Sequence, residues 1–176
     1  MNKNISITIN KMEDSVRSEV LKLELQKHQH AYVSPVSNIL KKLESKPQTR
    51  PYLIRNNGEL IGYVQINTQH EDITHYCDDD KTLGLEGFFL DHRVQGQGLG
   101  VPSIIAVIKK ISFDYPDYNK VALTVNCKNK AAIRTYLKGG FEDTGKLYRG
   151  GRSGPQHIMV ARLRNQSIII DNRYIT

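Results

Sequence analysis

The chain has 176 residues, of which 39% are hydrophobic and 24% charged, and carries a formal net charge of +7. That length suits one domain with a sizeable core, and no apolar run approaches the roughly 20 residues that a membrane span needs. The opening MNKNISITIN alternates apolar and polar residues, unlike a secretory signal, and Cys77 and Cys127 have neither metal-ligand nor redox spacing. We therefore expect a cytoplasmic protein with no membrane partner and no metal. The positive charge suits an anionic partner. Nucleic acid and a phosphate-bearing cofactor are the candidates; no zinc-finger or RNP-type signature supports the first, and lysines scattered on a solvated surface account for most such charge.

ISITIN alternates and predicts a first, half-buried strand. Asn10 with Glu13 three residues on forms a capping-box pattern, predicting a helix with Val16, Val20 and Leu23 on one face. Ser34 as N-cap and Pro35 at the first helical position predict a second helix, striped by Val36, Ile39, Leu40 and Leu43. PYLIRNNGELIGYVQIN reads as a hairpin turning at Asn57-Gly58. A polar, acidic loop, THYCDDDKT, precedes LGLEGFFLD, a strand too apolar to have a wet face and hence central.

A glycine cluster then leads into a helix with Val101, Ile104, Ile105, Ile108 and Ile111 on one side and Pro102 in its first turn. KVALTVN predicts another strand. Asn129 caps a short helix that carries Ala132, Ile133, Tyr136 and Leu137 and ends at Gly139-Gly140. FEDTGKLYR and HIMVARL predict an antiparallel pair, and SIIIDNRYI an edge strand. The order β-α-α-β-β-β-α-β-α-β-β, without repeats or a linker, describes a mixed α/β chain. We expect residues 1–176 to form a single domain, with 165–176 as an extra C-terminal strand or a tail.

A strand, a glycine turn and a helix N-terminus in succession make an anion site, because the first N–H groups of a helix lack internal acceptors. A dinucleotide-binding G-x-G-x-x-G would need a small residue where Val101 stands and an acid ending the next strand, which ends at Asn126. A Walker loop would need Gly-Lys-Ser/Thr after the turn, and none occurs. What the segment does contain is Q-x-x-G-x-G, written Gln95-Gly96-Gln97-Gly98-Leu99-Gly100.

In this motif, and in VNCKNKAAIRTYLKGGFEDTG downstream, the chain resembles the GCN5-related N-acetyltransferases (GNAT). The second segment has the asparagine strand end, the Asn-x-x-Ala-x-x-x-Tyr helix and the Gly-Phe of that family. The resemblance implies a central mixed, mostly antiparallel sheet with splayed central strands, flanked by helices. It also implies acetyl-CoA as cosubstrate, with its pyrophosphate on Gln95, Gly96, Gln97, Gly98, Leu99 and Gly100. The backbone of Phe88, Phe89 and Leu90 would hold the pantetheine and thioester, while their side chains alone read as core. Asn126, Asn129 and Ala132 would be further cofactor contacts, although Asn129 also reads as an N-cap.

Tyr136 matches the family tyrosine that protonates the leaving sulfur, and a phenol of pKa about 10 suits a thiol of about 8.5. Its spacing with Ala132 and Ile133 also fits a core aromatic. Glu86, two residues before the paired phenylalanines, is the candidate base. His92 lies past the strand on the cofactor side, and His75 sits in a loop that could border the acceptor cleft.

LEGFFLD with QGQGLG looks most like the spermidine/spermine and diamine acetyltransferases, and KHQHAYVSP resembles the helix-to-helix segment of bacterial polyamine acetyltransferases. The acids Glu71, Asp72, Asp78, Asp79 and Asp80 precede the central strand and suit a cationic amine. GGRSGPQHIM, with two arginines close by, departs from the polyamine pattern. The resemblance thus implies an enzyme acetylating a small primary amine, as a homodimer. Aminoglycoside or peptide amines, or acetyl-CoA sensing without turnover, are the competing expectations.

Overall fold

The computed structural model describes residues 4–69 and 81–163. The acidic loop, His75 and the C-terminal SIIIDNRYI lie outside the described residues. Seven strands form one sheet: β1 (Ile7–Lys11), β2 (Thr49–Asn56), β3 (Glu59–Asn67), β4 (Thr82–Leu90), β5 (Lys120–Asn126), β6 (Glu142–Tyr148) and β7 (Gln156–Arg162). Their order is β1-β2-β3-β4-β5-β7-β6, antiparallel throughout except for β4 beside β5. The helices are α1 (Arg17–Val20), α2 (Val36–Leu43), α3 (Gly100–Asp114) and α4 (Lys130–Lys138).

Alternation along the strands divides the core into two layers. Tyr52, Ile54, Val64, Ile66, Leu83 and Leu123 face α3 and α4, meeting Ile104, Val107, Ile111 and Tyr136. Leu53, Leu60 and Tyr63 face the other way, onto Val20 of α1 and Val36, Ile39 and Leu40 of α2. The hairpin turns at Asn57 and Gly58 as predicted, with φ of 51° and 84°.

Four local expectations need correction. Asn10 caps no helix: it lies inside β1 opposite Leu53, and Met12 N–H still donates to the Pro51 carbonyl at 2.9 Å. Pairing with β2 keeps the chain extended past the capping-box pattern, so helical structure begins as a 3-10 turn at Asp14–Val16. Pro35, not Ser34, is the N-cap of α2, with ψ 143°, and Val36 is the first helical residue. Ile105 is 52% exposed, and Val107 takes the buried position facing the sheet. Leu137 points outward as well.

What opens the sheet is local to β4. Gln65 stands opposite Glu86 and Tyr63 opposite Phe89, so Gly87 and Phe88 together face Val64. Gly87 has φ +58°, the left-handed conformation such a bulge requires. The extra residue reverses the phase of the strand: Leu85 enters the α3 layer, whereas Phe89, four residues on, enters the α1–α2 layer. Pairing with β5 runs only through Thr82, Leu83 and Gly84. Beyond them the two strands splay.

Next to the splay, β3 and β4 approach closely at Gly62, where a Cβ would fall 2.5 Å from the Phe89 carbonyl oxygen and 2.6 Å from Leu90 Cδ2. One of those atoms is backbone, so the strands must shift to admit a methyl group. Gly62→Ala is expected to lower the unfolding free energy by about 1–3 kcal/mol. Denaturant titration should show a lower midpoint at unchanged slope; an unchanged midpoint would mean that the strands separate freely.

Candidate active site

The divergence of β4 and β5 opens a cleft of about 860 Å³. One wall is the part of β4 without a β5 partner, residues 85–90, and the other includes Thr124, Val125 and Asn126 of β5. Of the residues singled out in the sequence, Glu86, Phe88, Phe89, Leu90, Gln95, Gly96, Gly98, Leu99, Gly100, Asn126, Asn129, Ala132 and Tyr136 all line it. Gln97 does not; its Nε2 donates to the Arg93 carbonyl at 2.9 Å.

At one end lies the glycine loop. Gly96 and Gly98 have φ of +76° and +77°, with open space where a Cβ would be. Among the described residues, the N–H groups of Gly96, Gly98 and Gly100 have no acceptor. Gly100 opens the 15-residue α3, whose dipole adds partial positive charge at the same place. Free amides, no side chains in the way and a helix N-terminus fit a pyrophosphate. Leu99 anchors the loop by its buried side chain, and Asn129 caps α4 by accepting from Ala132 N–H at 3.2 Å while also lining the cleft.

Tyr136 projects from α4 toward the splay. Its ring packs on Phe88, centroids 6.0 Å apart, and on Phe141 at 5.6 Å. Burial pushes its phenol well above the ordinary tyrosine value, so the group is a protonated donor at neutral pH. The ring is part of the core, and the residue also lines the cleft.

On the β3 side, Glu86 is half-buried. Its Oε1 accepts from Asn67 Nδ2 at 2.9 Å, and its Oε2 lies 3.5 Å from Lys46 Nζ. His92 is outside the cleft, its Nδ1 3.6 Å from Asp91 Oδ1 and 3.8 Å from Glu24 Oε2. Among the described residues no cluster of His, Cys, Asp or Glu could hold a metal ion, and no helix is long and apolar enough to cross a membrane.

Residues 13–148 match the family described as "Acetyltransferase (GNAT) domain". The chain belongs to the GNAT acetyltransferase family. Its activity class is thereby acetyl-CoA-dependent N-acetyl transfer. It is 28% identical over 161 residues to a spermine/spermidine N(1)-acetyltransferase of Bacillus subtilis (strain 168), covering 90% of this chain and 100% of the relative. Solved structures that share the fold include two acetyltransferases. One is an aminoglycoside acetyltransferase in complex with coenzyme A, with TM-score 0.74 and 23% identity over 89% of this chain and 95% of that one. The other is a spermidine N-acetyltransferase from Vibrio cholerae in complex with CoA and spermine, with TM-score 0.64 and 18% identity over 89% and 95%.

In this acetyltransferase, several residues that sequence reasoning passed over hold the site together. The 3-10 turn Lys27–Ala31 lies against the cleft: Gln95 Nε2 donates to Gln29 Oε1 at 2.8 Å and to the Leu90 carbonyl at 2.7 Å. Ser153 Oγ donates to the Ala31 carbonyl at 2.5 Å, and Asn126 Nδ2 to the Ser153 carbonyl at 2.9 Å. Both cleft walls are thus tied to the same turn. The resemblance of KHQHAYVSP marked this segment, but KHQHA has no apolar periodicity and its partners are far apart in the chain, so the sequence did not show which side chains it holds.

Asp91, buried at the end of β4, fixes the entry to the glycine loop. Its Oδ1 accepts from Arg93 N–H at 2.9 Å and Arg93 Nε at 2.7 Å, and its Oδ2 from Glu24 N–H at 3.0 Å. Burial alone would raise its pKa, but the Arg93 side chain and the two backbone donors outweigh it and hold the carboxyl below the usual carboxylate value. A depressed native pKa contributes stability above the unfolded value of about 3.9, and that stability is lost as pH falls through the native value. Asp91→Asn should therefore cost about 1.5–3 kcal/mol at pH 7, and the difference from the parent should shrink below about pH 4. Unfolding titrations across that range check it; a difference independent of pH would assign the loss to packing.

Proposed function

We propose that the protein transfers the acetyl group of acetyl-CoA to a primary amine of a small cationic molecule, by direct attack, with polyamines as the leading acceptor class. The observation that carries this reading is the placement of Glu86 and Tyr136 in one cleft, with the open-amide glycine loop at its end. When bound, acetyl-CoA supplies a thioester carbonyl activated toward amines. The amides of residues 96–100 hold its pyrophosphate, and the β4 backbone at Phe88, Phe89 and Leu90, left without a β5 partner, holds the chain that leads to the thioester.

Glu86 takes the proton of the acceptor ammonium, directly or through one water, which frees the nitrogen lone pair. The N–C bond forms as the C–S bond breaks, Tyr136 gives its hydroxyl proton to the departing sulfur, and the second proton that the nitrogen sheds as the amide forms returns through water to the Tyr136 phenolate. Asn67 holds one oxygen of Glu86, so the carboxylate keeps a fixed orientation. The name of the Bacillus subtilis relative supports a polyamine acceptor, and the spermine-bound structural neighbour is consistent with it.

Tyr136→Phe keeps the ring contacts and removes only the hydroxyl. Its kcat is expected to fall by roughly 10²–10⁴, with acetyl-CoA affinity and stability nearly unchanged. Release of free thiol from acetyl-CoA, followed with spermine, spermidine, an aminoglycoside and a peptide N-terminus, reads both the step and the acceptor. Full turnover by the variant would return Tyr136 to the core, and preference for the peptide would replace the acceptor class.

A further inference from the structure

Glu86, the carboxylate placed to receive an acceptor's ammonium, already holds one. Lys46 Nζ lies 3.5 Å from Oε2, the oxygen that Asn67 does not hold. Lys46 reaches it from just beyond α2 and lines the cleft, as does Lys42 one turn earlier. Among the described residues, the cleft lining contains Lys42, Lys46 and Arg152 and a single carboxylate, Glu86.

A lysine head and the terminal ammonium of an alkylamine are the same chemical group on the same kind of stem. We propose that Lys46 determines acceptor specificity as an internal competitor: its ammonium occupies the position of the acceptor's ammonium and must swing aside before a cationic amine reaches Glu86. This rests on the reading of Glu86 as the acceptor's proton acceptor. The side chains of Lys46 and Glu86 are 41% and 22% exposed, and an ion pair this open to solvent is readily broken. Lys46 therefore biases binding rather than blocking it. Once displaced, it remains a cation near the site and repels every further ammonium within about 8 Å at physiological ionic strength. Its effect grows with the number of charges on the acceptor and enters before the chemical step, hence in KM.

Lys46→Met keeps the stem length and removes the charge. Steady-state kinetics should show the KM for spermine falling about fivefold, with kcat changing less than twofold, and the KM for a neutral-tailed monoamine falling less than twofold. Raising the salt concentration should narrow the gap between variant and parent. In a Glu86→Gln background, itself low in kcat, the competition for the carboxylate is gone but the repulsion is not, so the same substitution should still lower the KM for spermine and leave that for the monoamine unchanged. If Lys46→Met leaves every KM unchanged, or moves spermine and monoamine equally while Glu86→Gln is crippled, the competitor role is overturned and the reading of Glu86 stands. If Glu86→Gln turns over like the parent, that reading falls and the Lys46 proposal with it.

Discussion

Between Gly84 and Leu90, β4 gives up the strand beside it, and the rest of the molecule is arranged around that gap. An unpaired strand edge inside a sheet is unfavourable unless water or a ligand takes up its N–H and carbonyl groups. The bulge at Gly87 turns the edge to use: one added residue moves Phe89 into the α1–α2 layer and leaves Phe88 against Tyr136 at the splay. Without the bulge, odd-numbered β4 side chains would continue on one face, and Phe89 would share a layer with Leu85. The same residue thus sets both the packing and the line of approach to the cleft.

A gap held open in this way must also be kept from closing or spreading. The α3 side supplies packing through Ile104, Val107 and Ile111, while the open side depends on hydrogen bonds. Gln95 to Gln29 on one rim and Ser153 to Ala31 on the other join the walls through the turn Lys27–Ala31. Each is a single neutral hydrogen bond, worth on the order of 1 kcal/mol. The β4 wall is anchored more firmly, through the three donors that converge on Asp91.

The parts of the site visible in the sequence are those set by local geometry. Positive φ at two loop positions demands glycine, an N-cap demands a short acceptor such as Asn129, and a residue that lines the cleft from α4 must fall on helical spacing, as Tyr136 does. What escaped were contacts between distant segments. Asn10 and Glu13 have the composition of a capping box, yet strand pairing with β2 overrides it. Ile105 follows the apolar stripe but lies on the outer side of α3. Glu86 was legible as a candidate base; its partners Asn67 and Lys46, from another strand and from the end of α2, were not.

Burial of Tyr136 bears on whether a phenol can serve the proposed step. Desolvation raises its pKa, which taken alone makes it a poorer acid. In water a phenol near 10 and a thiol near 8.5 differ by about 1.5 units, so the transfer is uphill by roughly 2 kcal/mol. In the proposed step the same cleft would also desolvate the departing thiolate, and burial would penalise both anions in the same direction. The difference between the two pKa values, which sets the driving force, therefore changes much less than either value. Both values already lie above neutrality, so the tyrosine is protonated when the thioester arrives, and the further rise makes a bare thiolate costly enough that a proton donor at that position matters.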